Sequence, residues 1–239
     1  DVCSSDLSEA RGGPPRIQRR PRRSSVRRIG EALSARRYSL PRAMLSASEL
    51  LAFLRLNVSL DVVSSDPGRR AALDRVFVGA AALAEQGAAP TVAGLPSVIG
   101  EEMAPFGWAW NGFYAPLPGD EEPSALHVSA AFGPPVCSPL ERGGGALSSG
   151  MCFDGFLLNQ TLCAFDAGAW PGYVSCDAAS GLGTVAGIVV PVRDANGAPV
   201  AVWDLDSTER IEPGDVRAMD VLFASLARTV AFDRAHFQR

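Results

Sequence analysis

The chain from Ala186 to Thr208 reads A-G-I-V-V-P-V-R-D-A-N-G-A-P-V-A-V-W-D-L-D-S-T. Two runs of apolar and β-branched residues, 186–193 and 198–205, flank a turn that contains Asn196 and Gly197. An Asn-Gly pair between two such runs is a strong signal for a tight β-hairpin. The stretch therefore predicts two antiparallel strands joined by a short turn.

Two carboxylates end the second strand of this hairpin. Side chains of a strand alternate between its faces, so Asp204 and Asp206 share one face and lie roughly 7 Å apart along the strand. Burial and mutual repulsion are expected to raise at least one of the two pKa values, which leaves an acid able to donate a proton near neutrality. The other interpretation is that both side chains merely keep the strand end hydrated.

Working outward from the hairpin, the apolar periods predict an alternation of helices and strands with turn-rich connections. Strands are predicted at 108–115, 126–131 and 161–165, helices at 66–87, 95–103, 150–159 and 213–236, and loops at 133–149 and 166–182. This order is typical of the α+β class, in which helices pack against an antiparallel sheet.

The charge of the chain is divided between two unlike regions. All 22 basic residues are arginines, and eleven of them lie within residues 1–44 against four acidic residues. We predict that residues 1–43 form a disordered leader, because they are rich in Arg, Pro and Ser and lack an apolar period. Residues 44–239 are predicted to form a single domain.

Residues 1–7 of the leader resemble the translation of a sequencing adapter. Two interpretations of residues 8–43 stay open: a translated untranslated leader before a start at Met44, or an arginine-rich organelle transit peptide. The acidic remainder argues against nucleic acid as a partner. No apolar run reaches the ~18 residues of a membrane span, so we expect no membrane association and a cytoplasmic protein, or an organellar one if the leader is a transit peptide.

Three cysteines, Cys137, Cys152 and Cys176, lie within about forty residues of one another. Cys152 is predicted in the first turn of a helix, where the helix dipole favours a thiolate. Their spacing lacks the C-x2-C pair of a zinc knuckle, and no signal-peptide core precedes them, which argues against a secreted disulfide scaffold. We interpret Cys163, within a strand pattern, as a buried structural residue.

From about Trp108 to Val230 the sequence resembles the free methionine-(R)-sulfoxide reductases, small enzymes built on a GAF domain. The resemblance rests on five motifs in order: W-N-G-F-Y at Trp110–Tyr114, F-G-P-P-V-C ending at Cys137, S-G-M-C ending at Cys152, W-P-G-Y-V-S-C-D-A-A-S ending at Ser180, and W-D-L-D-S-T at 203–208. Their joint occurrence is far more specific than any single motif. It implies a GAF-like central antiparallel sheet with helices packed against it.

The resemblance also implies an oxidoreductase that acts on free methionine-(R)-sulfoxide. One thiolate attacks the sulfoxide sulfur and becomes a sulfenic acid, a second cysteine closes a disulfide, and thioredoxin, recharged by NADPH, reopens it. Cys176 is the preferred nucleophile and Cys152 or Cys137 the resolving residue, although an exchange of roles between Cys152 and Cys176 stays open. No bound cofactor and no metal are implied, and related enzymes suggest a homodimer.

In the same resemblance, Trp110 and Tyr114 surround the methyl and thioether of the substrate, a favourable setting for sulfur. Asp204 and Asp206 bind the substrate ammonium or donate the proton that the sulfoxide oxygen needs. The alternative for both aromatic residues is a place in the hydrophobic core, which is the commoner outcome in an amphipathic strand.

Two features depart from the family pattern. Residues 181–187, where the family usually has a glutamate, contain no acid, and the connection between Cys137 and Cys152 is about five residues longer than usual. Two other functions therefore stay open. One is a GAF-type sensor or ligand-binding module without turnover, and the other is a redox switch whose thiols react with peroxide.

Overall fold

The computed structural model of the protein describes residues 45–143, 150–171 and 181–238. Its helices are α1 (Ala47–Asn57), α2 (Leu60–Val63), α3 (Pro67–Glu85), α4 (Ala88–Met103), α5 (Gly150–Leu158) and α6 (Pro213–Thr229). Its strands are β1 (Trp108–Ala115), β2 (Ala125–Phe132), β3 (Leu140–Glu141), β4 (Leu162–Ala164), β5 (Ala186–Arg193) and β6 (Pro199–Ser207). Short 3-10 turns occur at Ala104–Phe106, Ala167–Ala169 and Arg234–Phe237.

Within the described residues the strands form one antiparallel sheet in the order β3-β2-β1-β6-β5-β4. The predicted hairpin is confirmed as β5 and β6, with Val190 opposite Trp203. Its turn closes because Asp194 Oδ1 accepts hydrogen bonds from the backbone N–H groups of Asn196 and Ala198, both at 2.8 Å. Gly197 takes the left-handed conformation that the turn requires, with φ 86°.

The two faces of this sheet are covered differently. Helices α1 to α4 and α6 cover one face and enclose the main core, which includes Phe113 and Trp203. Helix α5 covers the other face and forms a smaller cluster with it: Trp110, Tyr114, Leu126, Cys152, Phe153, Phe156, Val189 and Val202. The predicted α+β architecture is therefore confirmed, and most of the candidate chemistry lies on the face with the smaller cluster.

The predicted start of α4 and the predicted end of α6 are wrong. Helix α4 begins at Ala88 instead of near Leu95. Pro90 is tolerated in its first turn, where a backbone N–H has no helical partner, and Pro96 lies inside the helix. Helix α6 ends at Thr229, because Ala231 adopts a positive φ of 49°. The chain then returns to the core, where the ring centroids of Phe237 and Phe113 lie 5.3 Å apart.

Four elements near the predicted loops and the amino end were not predicted. Helices α1 and α2 precede the predicted first helix, although Ser46 and Glu49 form a capping box that signals the start of α1. Strand β3 lies within the predicted loop 133–149 and pairs with β2. The predicted loop 166–182 contains the 3-10 turn Ala167–Ala169.

Residues 1–44 lie outside the described residues, so the predicted leader and the domain boundary at Met44 stay predictions. None of the helices in the described part of the chain is both long and apolar enough to cross a membrane.

Candidate active site

Helix α5 brings Cys152 onto the sheet. The residue lies in the first turn of α5, as predicted, and its thiol donates a hydrogen bond to the carboxylate of Asp204 on β6. Gly155, one turn later, lets the helix approach β5 closely, because a Cβ atom there would lie 2.6 Å from Val189 Cγ1. The close contact of α5 with the sheet therefore holds the thiol on the carboxylate.

The carboxyl group of Asp204 is closely surrounded by protein although its side chain keeps some accessible surface. Gly112 of β1 and Val189 of β5 lie opposite it on the neighbouring strands. Burial raises the pKa of Asp204 to about 6, while hydrogen bonds from Cys152 and from the backbone of Leu205 oppose the rise. An acid with this pKa exchanges protons readily near neutrality.

Asp206 lies on the same face of β6, as the alternation predicted, and is also half-buried. Its neighbours across the sheet are Trp110 on β1 and Gly187 on β5. A Cβ atom at Gly187 would lie 3.0 Å from the carbonyl oxygen of Leu205 and 4.0 Å from Asp206 Oδ1. A side chain at position 187 would therefore crowd the backbone of β6 at Leu205 and reach the edge of the Asp206 carboxylate.

Trp110 and Tyr114 lie on this face of β1, with ring centroids 5.8 Å apart. The indole of Trp110 folds over Gly112, where a Cβ atom would lie 2.9 Å from Trp110 Cη2. Both side chains are only 1% exposed. A ligand reaches either ring only if neighbouring side chains move apart.

Tyr114 also has a role that the sequence did not indicate. Its hydroxyl donates a hydrogen bond to the backbone carbonyl oxygen of Cys137 at 3.0 Å. The next residue, Ser138, accepts a hydrogen bond from the backbone N–H of Val128 at 3.0 Å. These two bonds tie the segment that carries the exposed Cys137 to the edge of the sheet.

No protein-family model matches the chain, and no curated protein sequence does. Solved structures do match it. A structure described as that of the GAF domain is 21% identical, has a TM-score of 0.57, and the match covers 72% of this chain and 96% of that one. The chain has the GAF fold.

The same fold occurs in a free methionine-R-sulfoxide reductase from Neisseria meningitidis, whose structure contains its substrate. It is 21% identical to this chain with a TM-score of 0.56, and the match covers 70% of this chain and 92% of that one. The resemblance stated from the sequence is thus confirmed for the fold. Because GAF domains serve both as enzymes and as binding modules, the fold alone does not assign an activity.

Of the two remaining cysteines of this GAF domain, Cys163 lies within the described residues and Cys176 does not. Cys163 lies opposite Ile188 and packs against the main core. Burial, with a smaller contribution from the charge of Asp215, raises the pKa of the Cys163 thiol to about 12, which agrees with a structural role. Cys176 lies in residues 172–180, outside the described residues, so its place beside Cys152 stays a prediction.

Sequence reasoning missed one acid near the site. Asp154, on α5, is 4% exposed and accepts a hydrogen bond from Trp170 Nε1 at 3.4 Å. Burial raises the pKa of Asp154, and the bond from Trp170 opposes the rise. The available signal was its place in the otherwise apolar helix G-M-C-F-D-G-F-L-L.

The tether of the Cys137 segment makes a first prediction. We expect Tyr114→Phe to lower the free energy of unfolding by only about 1 kcal/mol, because the ring stays packed and one hydrogen bond is lost. Amide exchange at Val136, Cys137 and Ser138, the residues of 134–139 that carry a backbone N–H, should become roughly three- to tenfold faster when measured by mass spectrometry. Exchange in β5 serves as the internal control. Unchanged exchange in residues 134–139 would contradict the tether.

Proposed function

We propose that this GAF domain reduces free L-methionine-(R)-sulfoxide to L-methionine with its own cysteine thiols. The proposal is carried by one observation: the Cys152 thiol is hydrogen-bonded to Asp204, an acid whose pKa is about 6. Sulfoxide reduction needs both kinds of group, since sulfur attacks sulfur and the oxygen must be protonated before it leaves. The fold shared with a substrate-bound reductase supports the proposal.

Of the open alternatives, the contact with Asp204 favours Cys152 as the resolving cysteine. The negative charge of the Asp204 carboxylate disfavours a second negative charge on the Cys152 sulfur, and the hydrogen bond keeps the proton between them. This contact therefore opposes the thiolate that the helix dipole favours. A thiol that keeps its proton is a poor first nucleophile. We therefore assign the attack to Cys176, with Cys152 or the exposed Cys137 as its partner in the disulfide.

The proposed cycle balances in three steps. The sulfoxide oxygen passes to Cys176, which becomes a sulfenic acid, and methionine is released with two more electrons than the sulfoxide had. Cys152 then attacks the sulfenic sulfur, and the oxygen leaves as water with the thiol proton and the proton of the sulfenic acid. A thioredoxin dithiol reduces the resulting disulfide and is itself oxidised, with NADPH as the distant electron source.

The remaining site residues are proposed to bind the substrate. Asp206, which lies opposite Gly187 of β5, accepts the ammonium of the free amino acid. Trp110 and Tyr114 contact the methyl and thioether after their neighbours move apart. These roles need no resident metal or cofactor. The proposed partners are thioredoxin and a second copy of the chain in a homodimer.

A thioredoxin-coupled assay tests the proposal. We expect the full chain to oxidise NADPH with free methionine-(R)-sulfoxide, but not with the (S) epimer or a peptide-bound sulfoxide. Cys176→Ser should abolish turnover, since the nucleophile is lost. Cys163→Ser, which removes a cysteine that packs against the main core, is the matched control and should retain turnover.

A second candidate is a GAF module that binds a small ligand or senses peroxide. It is favoured by the closed aromatic pair, at 1% exposure, and by the lack of an acid in residues 181–187. A folded, reduced protein without turnover on any sulfoxide would contradict the reductase. Disulfide formation with peroxide would then identify a redox switch, and ligand binding without oxidation a sensor.

A further inference from the structure

Asp154 lies on the outer side of α5 and is nevertheless buried. Cys152 and Phe156 face the sheet from the same helix. At ~100° per residue, a side chain two positions from each of them points about 160° away from both. Yet only 4% of the Asp154 side chain is exposed. A part of the chain other than the sheet must therefore cover this side of α5.

Among the described residues, Trp170 contributes to that cover. Its indole Nε1 donates a hydrogen bond to Asp154 Oδ2 at 3.4 Å. The residue closes the 3-10 turn Ala167–Ala169, since its own backbone N–H donates to the carbonyl oxygen of Ala167 at 3.1 Å. The indole is a donor only, so its partner must be an acceptor such as a carboxyl or amide oxygen.

The 3-10 turn Ala167–Ala169, which Trp170 closes, is linked to β6 by backbone hydrogen bonds through Val185. The backbone N–H of Ala167 donates to the carbonyl oxygen of Val185 at 2.9 Å, and the N–H of Val185 donates to that of Ser207 at 2.8 Å. Ser207 ends β6 and directly follows Asp206. Two polar contacts of α5 therefore lead to the same end of β6: the one of Cys152 with Asp204 on the inner side and the one of Asp154 with Trp170 on the outer side.

We propose that Asp154 is a positioning residue that, through the indole of Trp170, holds α5 so that the Cys152 thiol stays on the carboxylate of Asp204. The effect of Asp154 on turnover rests on the proposed function. The hydrogen bond between Trp170 and Asp154 does not depend on that function. The apolar contacts of Phe153 and Phe156 hold α5 on the sheet but fix no single orientation of the helix. The outer hydrogen bond is directional and adds that restraint.

The test uses the full chain with Cys3, Cys137, Cys163 and Cys176 replaced by Ser, so that Cys152 is the single thiol. We expect Asp154→Ala to raise the rate of Cys152 alkylation by iodoacetamide roughly three- to tenfold. The infrared S–H stretching band of Cys152 should also move toward that of a thiol with only a weak hydrogen bond. Trp170→Phe should reproduce both changes.

Asp154→Asn should retain the band and the slow alkylation, because its amide oxygen accepts from the same indole N–H. Asp166→Ala is the matched control, since this exposed aspartate precedes the same turn without capping it through its side chain. The proposal is overturned if Asp154→Ala leaves band and rate unchanged, or if Asp154→Asn behaves like Asp154→Ala. If Asp154→Ala does not fold, Trp170→Phe decides in the same way.

Alkylation needs no sulfoxide, so the two proposals fail separately. If the parent chain turns over sulfoxide but Asp154→Ala does not change Cys152 alkylation, only the proposed role of Asp154 is refuted. Lack of turnover in the parent leaves the alkylation result standing. In the chain with all its cysteines, a positioning role predicts that Asp154→Ala lowers kcat while KM stays close to the parent value, because the substrate contacts are unchanged.

Discussion

Replacing Asp204 by Asn is expected to destroy turnover and to stabilise the fold at neutral pH. The amide keeps the shape and can still accept a hydrogen bond from Cys152, but it cannot supply the proton for the sulfoxide oxygen, so turnover should fall at least ~100-fold. Removing a buried charge should raise the free energy of unfolding at pH 7.5 by on the order of 2 kcal/mol. An acid that weakens its own fold is typical of a functional site.

The pH dependence distinguishes this effect from a general stabilisation. The folded state raises the pKa of Asp204 from 3.8 to about 6, so between these values the folded state binds the proton more strongly than the unfolded chain. The contribution of this group to stability is therefore greatest below the lower value and is lost as the pH rises through about 6.

Urea unfolding of both proteins from pH 4 to pH 8 measures this difference. We expect the advantage of Asp204→Asn to be close to zero at the acid end, to grow through about pH 5 and to level off above about pH 6.5. Asp166→Asn, a substitution of an exposed aspartate, should show no comparable advantage. A stability difference that does not change with pH would show that the carboxyl of Asp204 is not perturbed by burial.

Arg69→Met is expected to produce the largest loss of stability, about 3–5 kcal/mol. Arg69 in the first turn of α3 binds Asp215 in the first turn of α6 through two hydrogen bonds, Nε–Oδ1 at 3.1 Å and Nη2–Oδ2 at 2.5 Å. Arg69 is 6% exposed and Asp215 is fully buried. Burial raises the pKa of Asp215 and Arg69 opposes the rise, so the variant leaves a buried acid without its counter-charge.

A matched pair on the surface provides the control. Arg55 binds Asp74 in the same two-bond geometry, at 2.8 and 2.7 Å, but its side chain is 49% exposed. Arg55→Met should therefore cost no more than about 1 kcal/mol. The double variant Arg69→Met with Asp215→Leu should recover part of the loss, because no unpaired charge remains. Equal losses for the two single arginine variants, measured by urea unfolding, would refute the argument from burial.

Much of the fold follows from local patterns. The Asn196-Gly197 turn and the two apolar runs around it were sufficient to predict β5 and β6, because hairpin geometry is set by a few neighbouring residues. The helix containing Cys152 was predicted with the correct start for the same reason. The error at α4 arose because the helix continues through Pro96, a residue that normally starts or breaks a helix. The error at α6 arose because a positive φ at Ala231 ends the helix before its apolar period does.

The candidate site was predictable only in part. The period of two along β6 placed Asp204 and Asp206 on one face, and the order of motifs pointed to Trp110 and Tyr114. The pairing of Cys152 with Asp204 was not predictable, since it depends on how closely α5 lies against β5 and β6. The bond from Trp170 to Asp154 and the tether from Tyr114 to Cys137 likewise join residues on different elements.

By itself, the sequence determined which residue types the site contains, the hairpin that presents the two aspartates and the α+β class. Those properties depend on turn chemistry and on the alternation of neighbouring side chains, which act over a few residues. The tertiary structure decided which thiol contacts which acid and how far burial raises the pKa of Asp204. Desolvation is set by the packing of segments that are distant in the chain, and no local pattern carries that information.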